Sequence, residues 1–288
     1  MKVRFAVAPS VGMLDVAEII GYADALEASD FDGVWLSDLP LLPAVDPLLG
    51  LALIAGRTTR LRLGANVVPL GRNPFLLARA LAQLDQLSGG RLLLSFVPGL
   101  GEPGEREALG WKGASRGEAL EDVLAAVRGW WSGGGASGHA LDEVPRPVQN
   151  PLEVWLGGRG PQALERAGRV ADGWLGALLD PAEARAARVA IDESAQRAGR
   201  TFDPEHFGIS IAYARAGAPD ELLASMRARR PDGDPLALVP VGAAALRSLV
   251  GRYLEAGLSK FVVRPATRPR DWNDEVRWLT GAVLDLQS

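Results

Sequence analysis

Short apolar runs alternate with longer stretches of helical periodicity along the whole chain of 288 residues. Most of the runs are continuously apolar, which is typical of parallel strands that are covered on both faces. The stretches between them repeat apolar residues at helical spacing, as Ile19, Ala23 and Leu26 do. The alternation predicts an α/β fold, a (β/α)8 barrel that forms a single domain over residues 1–288. The predicted strands are Val3–Ala8, Gly33–Ser37, Leu61–Val67, Leu92–Pro98, Val154–Leu156, Gly173–Leu178, Gly208–Ala214 and Phe261–Arg264.

Capping residues mark where the predicted helices begin and end. Asp46, Asn73 and Asp180 each precede a proline, which is typical of a helix start, because the side chain caps the first amides and proline has no amide to satisfy. Asp15 followed by Glu18 predicts a capping box. Glycines are predicted to end three helices: Gly89, Gly199 and Gly257.

Two segments are longer than ordinary connections and predict insertions after strand 4 and before strand 5. Gly99–Ser115 follows the fourth strand, so it is expected at the rim of the pocket. Ser132–Pro151 precedes the fifth strand, so it is expected on the opposite face or along the side of the barrel. A third irregular segment, Pro231–Gly242, separates two predicted helices.

Composition narrows the function classes. The 31 basic and 35 acidic residues are dispersed and sum to a net charge of −4, which argues against nucleic acid or an anionic membrane as a partner. Without cysteine, the chain has no disulfide framework, thiolate metal site or cysteine nucleophile. Two distant histidines, His139 and His206, do not suggest a metal site. No stretch predicts a membrane span or a signal peptide, so we expect a cytoplasmic protein with a small-molecule substrate.

A glycine-rich turn after the fifth strand, Gly157–Ala163, predicts an anion site. Its glycines allow the backbone to approach a ligand closely, and Pro161 suits the first position of the following helix. The amides of Gln162 and Ala163 are expected to point outward from the positive end of that helix, where a phosphate binds well. An ordinary strand-to-helix turn is the alternative.

The same turn also matches a dinucleotide-binding pattern, Gly158-x-Gly160-x-x-Ala163. Asp180 lies near the position where an acidic ligand of the ribose would be expected. The match is single and falls in the fifth unit of an unbroken series of eight. A dinucleotide site is therefore kept as an alternative.

Polar residues at the carboxyl ends of predicted strands are candidates for chemistry, because that end of a barrel carries the active site. Asp38 either ties a loop or binds a ring N–H and tunes a redox cofactor. Asn66 is either a pocket amide or a turn residue. Arg264 either clamps a carboxylate or phosphate or pairs with a neighbouring loop. Glu102, after the fourth strand, is either a solvated charge at the rim or a group that handles protons.

Most of the aromatic residues are expected to pack in the core. Trp35 lies within a strand, and Trp130 and Trp131 lie at a helix end. Trp111 differs, because it lies in the long loop after the fourth strand and there could cover a planar ligand. His206 precedes the seventh strand, at the opposite face, and no chemistry is assigned to it.

Six different short motifs lie at or near the ends of predicted strands and helices. They are Phe31–Asp38, Thr58–Gly64, Arg72–Pro74, Leu87–Arg91, Pro98–Gly99 and Ala171–Trp174. Together they resemble the bacterial luciferase-like monooxygenase family, over about residues 1–270. The resemblance implies a luciferase-like TIM barrel that holds a flavin, either FMN or the deazaflavin coenzyme F420, at the carboxyl ends of its strands. It also implies a homodimer.

The resemblance further implies a role for individual residues. Asp38 would lie beside the flavin ring, and Asn66 and Val67 would be joined behind it by a non-prolyl cis peptide bond, which is strained by about 3 kcal/mol. Pro98 and Gly99 would flank the edge of the ring. The phosphate would meet the turn already predicted to bind an anion: Gly158, Arg159, Gly160, Gln162 and Ala163.

Two positions depart from the pattern of family members that use coenzyme F420. Those members often carry a histidine directly after the aspartate and a glutamate directly after the strand-four glycine, where this chain has Leu39 and Leu100. The usual proton donor and acceptor are therefore missing. Either the reaction needs neither, or another group such as Glu102 serves, or catalysis has been lost.

The expected function is that of an oxidoreductase that transfers a hydride between reduced coenzyme F420, which is favoured, or FMN and a small, largely apolar substrate. Monooxygenation with O2 is a variant of the same class. Asp38 and Glu102 are the candidate catalytic residues. The alternatives are a non-catalytic flavin-binding barrel and an NAD(P)-dependent dehydrogenase. The candidate substrate contacts are Leu39, Leu100, Trp111 and Arg264.

Overall fold

The computed structural model describes residues 1–10, 15–133, 145–231 and 233–288. Eight parallel strands close into a barrel in chain order, which confirms the predicted (β/α)8 fold. Among the described residues, no helix is both long and apolar enough to cross a membrane. The strands are β1 (Arg4–Val7), β2 (Gly33–Ser37), β3 (Arg62–Val67), β4 (Leu92–Phe96), β5 (Val154–Gly157), β6 (Gly173–Ala177), β7 (Phe207–Tyr213) and β8 (Lys260–Pro265). The helices are α1 (Val16–Glu27), α2 (Pro47–Ala55), α3 (Pro74–Ser88), α4 (Glu105–Ala108), α5 (Arg116–Trp131), α6 (Pro161–Val170), α7 (Pro181–Arg197), α8 (Asp220–Arg229), α9 (Ala243–Glu255) and α10 (Trp272–Val283).

Successive residues of each strand face opposite sides of the barrel wall. On β2, Val34 and Leu36 belong to the main core between strands and helices, whereas Trp35 packs inside the barrel. The Trp35 indole lies across Gly64 of β3, because a Cβ built on Gly64 would come 2.0 Å from Trp35 Cε3. The glycine thus leaves room for the indole to fill the barrel interior.

We expect Gly64→Ala to lower the free energy of unfolding by about 1–3 kcal/mol, since the added methyl over-packs the interior against Trp35. Gly281 of α10 has no atom within 4 Å of its Cβ position, so it is a suitable control. Gly281→Ala should raise the free energy of unfolding by roughly 0.5–1 kcal/mol through helix propensity. Urea denaturation measures both values. Equal effects of the two substitutions would contradict the contact.

The packing roles predicted for three tryptophans are confirmed. Trp35 is buried inside the barrel. Trp130 packs against Phe75 with ring centroids 4.8 Å apart, and Trp131 Nε1 donates a hydrogen bond to Ala78 O at 3.0 Å. These indoles are therefore parts of the scaffold.

The helix ends largely follow the sequence. Asp15 caps α1, but the predicted capping box is wrong there, because the Glu18 carboxylate binds the Arg268 guanidinium instead. Three side chains cap helices just before a proline, as predicted: Asp46, Asn73 and Asp180. The three glycines that follow helices all have positive φ: Gly89, Gly199 and Gly257.

The insertions lie at opposite ends of the barrel. The segment after β4 contains α4 and lies at the carboxyl ends of the strands. The described end of the segment before β5 lies at the other face, where Gln149 Nε2 donates to Asp85 Oδ1 and to Leu92 O at the start of β4. Residues 134–144 of that insertion, with His139, lie outside the described residues.

Candidate active site

A cavity of about 450 Å³ opens at the carboxyl ends of the strands. Asp38, Asn66 and Arg264 line it, together with Gly158 and Arg159 of the turn before α6. The structure therefore brings predicted residues from β2, β3, β5 and β8 to one place. The volume falls within the usual range of small-molecule and cofactor sites.

One carboxylate oxygen of Asp38 is held and the other is free. Asp38 Oδ2 accepts hydrogen bonds from Val68 N at 3.1 Å and from Arg72 Nη2 at 2.8 Å. Arg72 also binds Asp46 at 3.1 Å. Asp38 Oδ1 has no donor among the described residues, although the side chain is only 7% exposed. Asp38 thus ties the loop after β3 and also offers an acceptor to the cavity.

Burial raises the pKa of Asp38, while the Arg72 charge and the Val68 amide oppose the rise. A carboxyl with a raised pKa holds its proton more tightly in the folded state. Its contribution to stability is therefore lost as the pH rises from the ordinary value of 3.8 through the folded pKa.

We therefore expect the free energy of unfolding of the wild type to fall, relative to that of Asp38→Asn, as the pH rises through this interval. Urea denaturation of both proteins between about pH 3.5 and about pH 7 measures the difference, in which the other carboxylates cancel. A difference that stays constant or changes in the opposite direction would contradict the raised pKa.

Asn66 carries an unmatched hydrogen-bond acceptor next to Asp38. Asn66 Nδ2 donates to Ser37 Oγ at 3.0 Å, whereas Asn66 Oδ1 is buried and has no donor in the described part of the chain. A buried polar atom without a partner costs about 1–3 kcal/mol. Because Asn66 lines the cavity, a ligand with an N–H group would remove this cost.

The peptide bond between Asn66 and Val67 is trans, so the cis bond implied by the resemblance is wrong here. Both carbonyl groups take part in the sheet, since Asn66 O accepts from Asp38 N at 2.8 Å and Val67 O accepts from Val97 N at 3.0 Å. The Val67 side chain is fully buried in the core outside the barrel wall. It does not line the cavity.

The turn before α6 forms the predicted anion cradle in part. Gly158 has a φ of 119°, and a Cβ there would lie 2.7 Å from Ala163 Cβ, so the sharp turn requires glycine. The amides of Arg159, Gly160 and Gln162 have no acceptor among the described residues. The Ala163 amide donates to Gly160 O at 2.9 Å, which corrects the prediction that it is free.

Asp180 is not available as a ligand of a ribose. Its Oδ1 accepts from Ala182 N at 2.8 Å and from Glu183 N at 2.9 Å, and Asp180 N donates to Glu183 Oε2 at 2.8 Å. These bonds form a complete capping box at the start of α7. The sheet is also a closed barrel and not the open sheet of dinucleotide-binding folds. The dinucleotide pattern has no structural support.

A buried glutamate that the sequence analysis missed shapes the loop after β4. Glu105 is 5% exposed and accepts from Leu100 N at 3.1 Å and from Gly101 N at 2.6 Å. A Cβ on Gly99, which has a φ of 82°, would come 2.8 Å from this carboxylate. These contacts hold Pro98, Gly99 and Leu100 along the cavity.

Glu102 and Trp111 lie outside this cavity, in a neighbouring recess of about 260 Å³. The Arg106 guanidinium covers one face of the Trp111 indole, 4.9 Å from the ring centroid. The loop after β4 folds back at this recess, because the Glu105 carboxylate accepts hydrogen bonds from Leu100 N and Gly101 N at the start of the loop. The predicted roles of Glu102 in proton handling and of Trp111 in covering a ligand therefore gain no support.

Three arginines contribute positive charge to the cavity: Arg159, Arg229 and Arg264. Arg264 is half-buried and has neither an ion pair nor a hydrogen bond with the described residues, so the predicted alternative of a salt bridge is wrong. Burial lowers the pKa of Arg264, and the neighbouring charge of Arg229 lowers it further. Arg229, which no sequence motif marks as a site residue, reaches the cavity from α8.

Leu39 and Leu100 both line the cavity, at the two positions where a proton donor and acceptor would have been expected. Asp38 is the only carboxylate among its described lining residues, and no histidine lines it. The site therefore offers fixed acceptors, backbone amides and guanidinium groups on an otherwise apolar wall.

Residues 2–264 match the family model described as luciferase-like monooxygenase. The chain belongs to the luciferase-like monooxygenase family. This membership confirms the family resemblance and the prediction of an oxidoreductase.

Two proteins of known name are similar to this chain in sequence. A 5,10-methylenetetrahydromethanopterin reductase of Methanolobus tindarius is 29% identical over 274 residues, which cover 83% of this chain and 78% of that protein. A candidate coenzyme F420-dependent oxidoreductase of Mycobacterium tuberculosis is 30% identical over 230 residues, 72% of this chain and 64% of that protein. The chain thus spans less than two thirds of the second relative.

A solved structure of the same fold is that of an F420-dependent secondary alcohol dehydrogenase in complex with an F420–acetone adduct. It superposes with a TM-score of 0.80 at 17% identity, over 100% of both chains. This similarity establishes the shared fold.

Proposed function

We propose that this luciferase-like protein binds coenzyme F420, or FMN, in the cavity at the carboxyl ends of its strands. There it would transfer a hydride between the reduced cofactor and a small organic substrate. The unmatched acceptor of Asn66 carries the proposal, because it is buried and belongs to a residue that lines the cavity together with Asp38. Flavin and deazaflavin rings present an N–H group that such acceptors bind. The names of a relative and of a structural neighbour support coenzyme F420 as the favoured choice.

The amides of Arg159, Gly160 and Gln162 would hold the phosphate of either cofactor. They lie at the positive end of α6, a helix of 10 residues, where an anion is stabilised. Gly157 and Gly158 line the cavity, so the amides and the cavity adjoin. The donor set therefore suits a ligand that combines an N–H edge with a phosphate.

The bound cofactor would supply the hydride chemistry, and the chain would bind and orient the reactants. Arg72 fixes the Asp38 carboxylate, while Leu39 and Leu100 contribute apolar side chains to the cavity wall. The lining holds no other described carboxylate and no histidine, so the proton that a ketone, enone or imine takes up together with the hydride would come from solvent. Monooxygenation with O2 is the second candidate, because the family model carries that description.

Turnover with and without O2 tests the proposal. Reduced coenzyme F420 and reduced FMN are each mixed with the protein and a panel of small ketones, enones and imines. Hydride transfer predicts that cofactor oxidation depends on the organic substrate and continues under nitrogen. Oxidation that requires O2 and places oxygen in the product would support the monooxygenase instead. Binding without turnover under both atmospheres would support a non-catalytic carrier and contradict the proposal.

We also propose that the chain folds as one domain, as its length and its strand–helix alternation indicate, and forms a homodimer, as the resemblance implies. Light scattering should give twice the mass of the chain, and thermal unfolding should show one cooperative transition. A monomeric mass or two separate transitions would contradict these expectations.

A further inference from the structure

Three arginines line the cavity of the candidate active site, and Glu102 in the neighbouring recess is close enough for its charge to act on Arg229. None of Arg159, Arg229 and Arg264 forms an ion pair with a carboxylate of the described residues, and Asp38, the only such carboxylate in the lining, already binds Arg72. The cavity therefore carries an excess of positive charge, although the net charge of the chain is −4.

Arg264 is the least exposed of the three arginines. It stands in register with Ala212 of β7, and both residues line the cavity, so its side chain faces the barrel interior. Because Arg264 is half-buried, its charge is partly withdrawn from water without a partner, which is unfavourable. A bound anion would relieve this cost and also the repulsion between Arg264 and Arg229.

Arg229 lines the same cavity from the end of helix α8. Helix α8 contributes Leu222, Ser225, Met226 and Arg229 to the lining. Arg159 Nη2 donates to Arg229 O at 2.6 Å, which fixes the end of this helix at the cavity. One guanidinium therefore lies in the barrel wall and a second in the helix above it.

We propose that Arg229 and Arg264 bind an anionic group of the substrate, a carboxylate or a phosphate, so that the substrate is an organic acid with an apolar body. The inference rests on the proposed function, because it names the substrate class of the same cavity. Guanidinium groups bind both anions through paired N–H donors. The lining residues that would contact the apolar body are Leu178, Leu222, Met226 and Leu238.

The anion of the cofactor is assigned to a different part of the wall. The free amides of the turn before α6 follow β5, whereas Arg264 ends β8, and β6 and β7 lie between these strands in the barrel. Arg264 therefore lies away from the free amides, whereas Arg229 adjoins the turn through its hydrogen bond with Arg159. Arg159 belongs to the turn, and Arg229 and Arg264 remain for the substrate.

Calorimetric titration of the cofactor-free protein with hexanoate, hexyl phosphate and hexanol tests this inference. The three probes share an alkyl chain and differ in the head group. We expect at least one anion to bind about tenfold or more tightly than hexanol, as charge-assisted hydrogen bonds require. The tighter anion identifies the head group as carboxylate or phosphate. Equal affinity for all three probes would overturn the inference.

Arg264→Met and Arg229→Met should each remove the preference for the anion. Arg227→Gln is the matched control, since Arg227 lies on α8 and is exposed, as Arg229 is, but lies outside the lining, and it should keep the preference. Arg264→Met should also raise the melting temperature of the ligand-free protein by roughly 2–4 °C, because it removes an unpaired charge. This rise distinguishes lost binding from lost folding.

The cofactor affinity of both methionine variants is measured in parallel. If they lose affinity for coenzyme F420 as strongly as they lose the anion, the arginines serve the cofactor and the inference fails. If the wild type prefers the anion but binds no flavin or deazaflavin, the proposed function fails and the anion site stands.

Discussion

Gly160→Asp should weaken binding of coenzyme F420 or FMN by about 100-fold or more, which corresponds to about 2.7 kcal/mol. Gly160 precedes the first residue of α6 with an extended backbone, φ −75° and ψ 157°, and a Cβ there meets no atom within 4 Å. An aspartate at this position would accept from the same amides as the phosphate and would repel it. Spectroscopic titration of the cofactor measures the affinity.

The free energy of unfolding of the same variant should not fall together with its cofactor affinity. Aspartate is a favourable residue at the start of a helix, so Gly160→Asp should leave the free energy of unfolding unchanged or raise it by a few tenths of a kcal/mol. Gly160→Ala, which adds a methyl group to open space, should keep cofactor affinity within about twofold. Unchanged affinity in Gly160→Asp would remove the phosphate from these amides.

Ala177→Trp should abolish detectable cofactor binding, a loss of about 1,000-fold or more. Ala177 is the last residue of β6, lines the cavity and is nevertheless exposed, so an indole at this position would enter the open space and not the core. The free energy of unfolding should change by less than about 1 kcal/mol, as is usual where no buried contact is altered. Titration with the cofactor and urea denaturation together measure both effects.

The control for this substitution is Ala186→Trp. Ala186 lies on the exposed face of α7, away from the cavity lining, so the added indole should affect neither binding nor stability. If Ala177→Trp bound the cofactor as tightly as Ala186→Trp does, the cofactor site would lie outside this cavity.

The barrel was predictable because its signals are local. Continuous apolar runs mark the strands, and Asp46 and Asn73 mark helix starts through their own side chains. Small errors at the strand ends arise where the backbone conformation leaves no mark on the local sequence pattern. Strand β6 ends one residue early because Leu178 has a φ of 59°, which no sequence pattern of an apolar run indicates.

The site was predictable only where strand geometry places a residue. Asp38 and Arg264 meet at the cavity because the carboxyl ends of parallel strands converge there. Glu102 is exposed in the recess beside the cavity, as the alternative of a solvated charge at the rim predicts, whereas its distance from the cavity depends on how the loop after β4 folds around Glu105. Arg229 was missed because its place depends on where α8 packs, which is a tertiary contact.

The hydrogen bonding of Asp38 and Asn66 also could not be predicted from local sequence. The hydrogen bond from Arg72 to Asp38 joins residues 34 positions apart, so it follows from the arrangement of neighbouring units and not from a local motif. The unmatched oxygen of Asn66 becomes visible only once the surrounding atoms are placed. That oxygen is nevertheless the observation that points most directly to a ligand.

Titration of the wild-type protein with coenzyme F420, FMN and NADP, followed by cofactor absorbance, tests the central claim most directly. We expect coenzyme F420 or FMN to bind one equivalent per chain with a perturbed spectrum, and NADP to bind neither tightly nor in competition. Tight binding of NADP, or no binding of either F420 or FMN, would contradict a cofactor site at the carboxyl ends of the strands.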